Sequence, residues 1–151
     1  MVLAGQLSTE LEIKASATKF YNVFASQLHE MENISERVHA GKLQQGDDWH
    51  HSETVKHWTY VIDGKVQTCN ETVELDEQNK KVIFNLFGGD IGKHYKAFKF
   101  ILEIFDKIDG GATIKWTIEY EKINEDIDPP NGYIDYLNKV TIETDDHLAK
   151  A

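Results

Sequence analysis

The densest group of reactive side chains lies in the run GDDWHHSETVKHW, from Gly46 to Trp58. It holds His50, His51 and His57, Asp47 and Asp48, and Trp49 and Trp58. Such a set could ligate a metal or move protons. Spacing argues against the metal. Side chains on a strand share a face at i, i+2. His50 and His51 are adjacent and point apart in an extended chain, and His57 has the opposite parity to Trp58. A loop gathering Asp47, Asp48 and His50 would still lack the further imidazole or thiolate that zinc prefers. No metal and no cofactor are expected. Acid–base catalysis needs a group aimed into a hollow with a displaced pKa. Lys56 shares the parity of Trp58 and Tyr60 and is the first candidate. The same residue also reads as a lysine snorkelling to the sheet rim. His94 and Lys96 share the parity of Phe98 and read as solvated rim residues. No acid–base pair stands at a diagnostic spacing, so an enzyme is not expected.

These residues must be held by a scaffold, and its elements are legible. Residues 2–13 alternate loosely and read as a first strand. Ser16 can cap a helix, in which Phe20, Phe24 and Leu28 recur every four residues. Residues 31–37 read as a second short helix. From there to Lys122 the period is that of strands: 39–45, 54–62, 65–76, 81–87, 95–106 and 112–122. Asp63-Gly64 marks a two-residue hairpin, Asp109-Gly110-Gly111 another turn, and Gly88-Gly89-Asp90 a loop. Pro129-Pro130 ends the strand region. Pro130 suits the first turn of a helix, which then presents Tyr133, Leu137, Val140 and Thr144 on one face and runs to about Leu148. Strands in series with segregated helices indicate an α+β fold with an antiparallel sheet.

The 151 residues favour a single domain spanning 1–151, with 40% hydrophobic and 28% charged residues. A net charge of −10 disfavours nucleic acid and anionic lipid surfaces. The lone Cys69 fits a reducing compartment. No signal peptide or apolar membrane span is read. A cytoplasmic protein that does not insert into membranes is expected, as a monomer.

The long helix must bury its stripe against the sheet. The inward face carries Trp58, Tyr60, Phe84, Phe98, Phe100, Trp116 and Tyr120, and from periodicity alone a solid aromatic core is the ordinary outcome. A cavity is favoured by inward tyrosine hydroxyls, which need partners, and by a helix stripe that mixes Tyr133, Thr141 and Thr144 with Leu137 and Val140. Such a hollow suits a mostly hydrophobic ligand with one or two polar groups.

The chain resembles the plant major latex proteins, a branch of the birch-pollen-allergen and pathogenesis-related class-ten superfamily. The resemblance rests on GDDWHHSETVKHWTYVIDGK, GGDIGKHYKAFKF and WTIEYEKINEDIDPPNGYIDYLNKV, in that order, and covers essentially the whole chain. It implies a helix-grip fold: a seven-stranded antiparallel sheet wrapped around a long C-terminal helix, with two short helices after the first strand. It also implies an internal cavity and a hydrophobic small-molecule ligand such as a lipid, sterol, flavonoid or hormone, linked to defence or stress. Carried over residue by residue, the expected ligand-binding positions are Phe24, Trp58, Tyr60, Phe84, Phe98, Phe100, Trp116, Ile118, Tyr120, Tyr133, Leu137, Val140 and Thr144. One departure stands out. The superfamily's glycine-rich loop keeps only Gly46 here, among Asp47, Asp48 and Glu53, so phosphate binding and ribonuclease activity are discounted.

The alternatives are an enzyme of plant secondary metabolism using the same cavity, and a stress or storage protein whose cavity is incidental. An inward charged residue with a displaced pKa favours the enzyme. A wall of apolar groups and hydroxyls favours the carrier. A hollow below about 300 Å³ argues against both.

Overall fold

The computed structural model describes residues 3–150. Its elements run β1 (Ala4–Ile13), α1 (Ala17–Ser26), a 3-10 turn (Leu28–Glu30), α2 (Met31–Ile34), β2 (Val38–Gln45), β3 (Val55–Ile62), β4 (Lys65–Asp76), β5 (Lys81–Phe87), α3 (Gly89–Gly92), β6 (Tyr95–Asp106), β7 (Ala112–Lys122) and α4 (Asn131–Lys150). The strands form one antiparallel sheet in the order β1-β7-β6-β5-β4-β3-β2.

The α+β fold, the seven strands and the long terminal helix are as expected. Three differences are local. The first helix ends at Ser26, so Leu28 sits in a separate 3-10 turn. Gly88-Gly89-Asp90 leads into a single helical turn rather than an open loop. The second helix covers only Met31–Ile34. The expected strand start at residue 2 lies outside the described residues.

Turn chemistry fixes the register. The β3–β4 hairpin closes on Asp63 and Gly64, both with positive φ (50° and 77°), the pair of angles that a two-residue hairpin turn needs to match strand twist. From it Ile62 pairs with Lys65, Trp58 with Cys69 and Lys56 with Glu71. Lys56, Trp58, Tyr60 and Ile62 are therefore buried, while the residues between them are only half-buried.

Helix α4 closes the concave face, packing on β1, β3 and β7. Its inner residues are Tyr133, Leu137, Val140, Thr141 and Thr144. Side-chain acceptors pin its far half. Asp145 accepts from the backbone N–H groups of Lys14 and Ala15 (3.1 and 2.9 Å). Glu143 accepts from Ser35 Oγ (2.8 Å) and the Glu36 N–H (3.1 Å). Asn138 accepts from Thr9 Oγ1 (3.0 Å). These bonds tie the helix to the start of α1, the end of α2 and β1. Helix α1 is capped as expected, with Ser16 Oγ accepting from the Lys19 N–H (3.2 Å).

Candidate ligand-binding site

Between sheet and helix the core is mostly filled with rings. Phe24 on α1 meets Phe84 and Trp116 edge-on, with centroids 6.1 and 5.7 Å apart. Tyr133 packs against Phe98 (5.0 Å), Phe100 (6.0 Å) and Tyr60 (5.9 Å). Edge-on and tilted ring pairs of this kind add to the ~1.5–3 kcal/mol that each buried ring contributes by leaving water.

A hollow remains among them, with a free volume of about 60 Å³. Its wall contains Phe24, Trp58, Tyr60, Phe84, Phe100, Trp116, Tyr133, Leu137 and Val140. Nine expected positions therefore come together. Four do not reach it. Phe98, Ile118 and Tyr120 are buried on the expected face of the sheet, but the open space ends before them. Phe98 instead buttresses Tyr95, Phe100 and Tyr133. Thr144 is fully buried and spends its hydroxyl on the Val140 carbonyl (2.8 Å). Sharing a face with the wall does not make a residue part of it.

The wall also includes Leu28, Met31, Val38, Cys69, Glu71, Leu86 and Tyr136, which sequence reasoning missed. Leu28 and Met31 enter because the chain breaks at Gln27 and turns inward. Cys69 and Glu71 enter through the parity of β4, which the Lys56–Glu71 register fixes.

The polar groups in and around the hollow are few and unusual. The Tyr60 and Tyr133 hydroxyls bond each other at 2.7 Å, and burial raises both pKa values above that of ordinary tyrosine. Burial also pushes the Cys69 thiol up, helped by the Glu71 charge. Glu71 accepts a hydrogen bond from Trp58 Nε1 at 3.0 Å. Desolvation raises its carboxyl to about 7, opposed by the Lys56 charge and the Trp58 bond. Burial lowers the pKa of Lys56, against the pull of Glu71 and Asp48. Lys56 is fully buried, so the snorkelling expectation is corrected. The side chain lies on the buried face of β3, at the second strand residue after the 46–54 loop.

That loop lies over the β3 end of the hollow. Trp49 stacks edge-on against Trp58 (5.7 Å). His50 Nε2 accepts the Leu28 backbone N–H at 3.1 Å, so its neutral tautomer carries the proton on Nδ1, 3.9 Å from Asp48 Oδ1. Burial lowers the His50 pKa, opposed by Asp48 and assisted by His29 and Lys56. His51 accepts from the Glu53 N–H, and His57 bonds Asn70 on the outer face. The histidines thus serve local geometry at three separate places. His94 and Lys96 are exposed, with His94 bonded to the Asp90 carbonyl and Lys96 near Glu121. No group of three metal-ligating side chains occurs among the described residues.

Comparisons with known proteins give a consistent answer. Residues 2–151 match the pathogenesis-related protein Bet v 1 family. MLP-like protein 31 of Arabidopsis thaliana is 35% identical over 97% of this chain and 86% of its own length. MLP-like protein 28 of the same plant is 36% identical over 97% of this chain, which spans 44% of that longer protein. The crystal structure of ginseng major latex-like protein 151 from Panax ginseng superposes with a TM-score of 0.89, at 28% identity, covering 96% of this chain and 97% of that one. The chain belongs to the pathogenesis-related Bet v 1 family, in its major latex protein branch.

Proposed function

We propose that this chain is a single ligand-binding domain, residues 1–151, that holds a hydrophobic or amphipathic small molecule between sheet and helix in the cytoplasm of a plant cell. The observation that carries this reading is the wall: a shell of aromatic and aliphatic side chains interrupted by a tyrosine pair, a thiol and a carboxyl. Apolar surface with a few convergent polar groups is what such ligands need. The family's ligand-binding fold points the same way. No helix among the described residues is long and apolar enough to cross a membrane.

The volume lies below the ~300 Å³ named above. With the walls as they stand it argues against both the carrier and the cavity enzyme, and the carrier reading holds only if the walls move. About 60 Å³ admits a few heavy atoms, against the ~300–1,000 Å³ of pockets that enclose drug-sized molecules. A sterol or acyl chain must therefore displace rings. The Trp49–Trp58 stack and the 46–54 loop, joined to Leu28 through His50, are the natural parts to move. Native mass spectrometry of protein purified from its source tests the reading. A co-purifying lipid-sized mass is the expected result. Its repeated absence would leave the cavity incidental and favour a stress or storage role, the reading to which the small volume points.

A second reading is favoured by a specific observation. Glu71 and Lys56 are inward charged groups with displaced pKa values, the feature that distinguishes a reactive cavity from a carrier.

A further inference from the structure

Beyond the two strands that flank it, and among the described residues, a single hydrogen bond joins the 46–54 loop to the rest of the fold. The Leu28 backbone N–H donates to His50 Nε2 at 3.1 Å. The loop's other bonds are internal: the His50 N–H to Asp48 Oδ1, the Glu53 N–H to His51, and the backbone bonds from His51 to Asp48 and from Thr54 to His51. The bond to Leu28 dictates a charge state. A backbone amide can only donate, so Nε2 must present its lone pair and the ring must be neutral. An imidazolium carries a proton on each nitrogen, so a second proton would set N–H against N–H. The bond would be lost and the Leu28 amide left without its acceptor, which costs more than an ordinary hydrogen bond gains.

The parts joined by this bond belong to the hollow. Leu28 lines it. Trp49, next to His50, stacks edge-on against Trp58, another wall residue, at 5.7 Å. His29, next to Leu28, meets the His50 ring edge-on (5.9 Å) and the Trp49 ring at a tilt (6.2 Å). Without the bond, only ring contacts keep the loop on the wall. We propose that His50 is an acid-released latch: protonation of its ring unhooks the 46–54 loop from Leu28 and lifts Trp49 off Trp58, so the hollow between sheet and helix opens as pH falls. The latch gives the ligand-binding site proposed above its control, and rests on that reading for what the opening admits or releases.

The groups around the ring set where the latch works. The ring is half-buried, so solvent protons reach it. Burial opposes the second proton. Asp48 on the loop, 3.9 Å from Nδ1, favours it, while His29 on the 3-10 turn and Lys56 on β3 oppose it. Glu30 lies 3.6 Å from His29, and Glu71 faces Lys56 across the β3–β4 ladder, so each cation has a carboxyl to temper it. The balance holds the closed form below the ordinary histidine value of 6.5, and a freed loop returns the ring toward it. The closed form therefore binds fewer protons than the open one. Closure is favoured above the ordinary histidine range and weakens as pH falls through it. Between about pH 7.5 and pH 5.5 the opening constant should rise several-fold, up to about tenfold.

The test follows hydrogen exchange of the Leu28 amide by NMR, and Nile red release by stopped flow, in the intact protein at those two pH values. His50→Gln is the comparison, since its side-chain oxygen can accept the same N–H and does not titrate. On acidification, protection of Leu28 relative to sheet-core amides should fall up to about tenfold further in the unsubstituted protein than in the variant. Nile red release should quicken by a similar factor in the unsubstituted protein alone. Glu71, bonded to Trp58, titrates over the same range in both proteins and cancels in the comparison. If the variant does not fold, the unsubstituted protein decides: Leu28 protection must fall with the midpoint at which the His50 ring titrates, and a different midpoint overturns the latch. Nile red that binds, with equal pH dependence of release and of Leu28 protection in both proteins, overturns the latch and leaves the ligand-binding reading standing. Nile red that binds neither protein at either pH counts against the ligand-binding reading, and Leu28 protection then decides the latch by itself.

Discussion

Glu71→Gln should remove a pH dependence of stability whose sign and size follow from burial. The Glu71 carboxyl moves from 4.5 in the unfolded chain to about 7 in the folded one. Between those values the folded protein keeps a proton that the unfolded chain has lost, so stability falls as pH rises through this window. The penalty is absent below it and complete above it. At ~1.4 kcal/mol per pKa unit it reaches about 3 kcal/mol. Glutamine keeps the shape and an oxygen for Trp58 Nε1, and it does not ionise. Urea unfolding followed by tryptophan fluorescence at about pH 5 and pH 8 gives the comparison. Other groups titrate over the same range in both proteins, so the informative quantity is the difference between them. That difference should shift by about 2–3 kcal/mol in favour of the variant on going to the higher pH. A difference that stays flat, or that moves the other way, would refute the assignment of Glu71 as a carboxyl held protonated by burial.

Two further outcomes check the packing. Thr141 accepts from Trp116 Nε1 at 2.8 Å and donates to the Leu137 carbonyl at 2.7 Å. Thr141→Val keeps the shape but leaves the indole N–H buried without a partner, and should cost about 1–3 kcal/mol in urea unfolding. Gly41 lies directly under the Trp58 ring, where an added Cβ would collide with it. Gly41→Ala should cost about 1–3 kcal/mol by overpacking, and by displacing the indole it should also alter the Glu71 titration, observable by NMR of the carboxyl carbon.

The sequence showed most of the frame, because its boundaries are written in turn chemistry. Asp63-Gly64 and Asp109-Gly110 set two hairpins, and the strands beside them, Lys65–Asp76, Lys81–Phe87, Tyr95–Asp106 and Ala112–Lys122, fall where the alternation places them. The cavity wall was less legible. Alternation assigns a face, and it assigned Phe98, Ile118, Tyr120 and Thr144 to the buried one. Where the space between two buried faces opens and closes depends on side-chain volumes from several elements at once. Strand β4 was the hardest case. In KVQTCNETVELD both parities mix polar and apolar residues, so nothing local marks Cys69 and Glu71 as inward. Their orientation comes from pairing with β3. Leu28 and Met31 were hidden for another reason: a steady helical period masked the break at Gln27.

Thr141 and Thr144 seemed to wet the helix seam, yet each hydroxyl returns to a carbonyl of its own helix. What α4 turns toward a guest is therefore chiefly hydrocarbon, apart from its tyrosines. The two walls differ in kind. On the proposed ligand-binding reading, the helix, apart from Tyr133 and Tyr136, offers hydrocarbon along which a molecule can shift, and the sheet, through Tyr60, Cys69 and Glu71, holds most of the groups that would tell one end of that molecule from the other. Selectivity in such a grip is one-sided, so helix substitutions should change how much is bound more readily than what is bound.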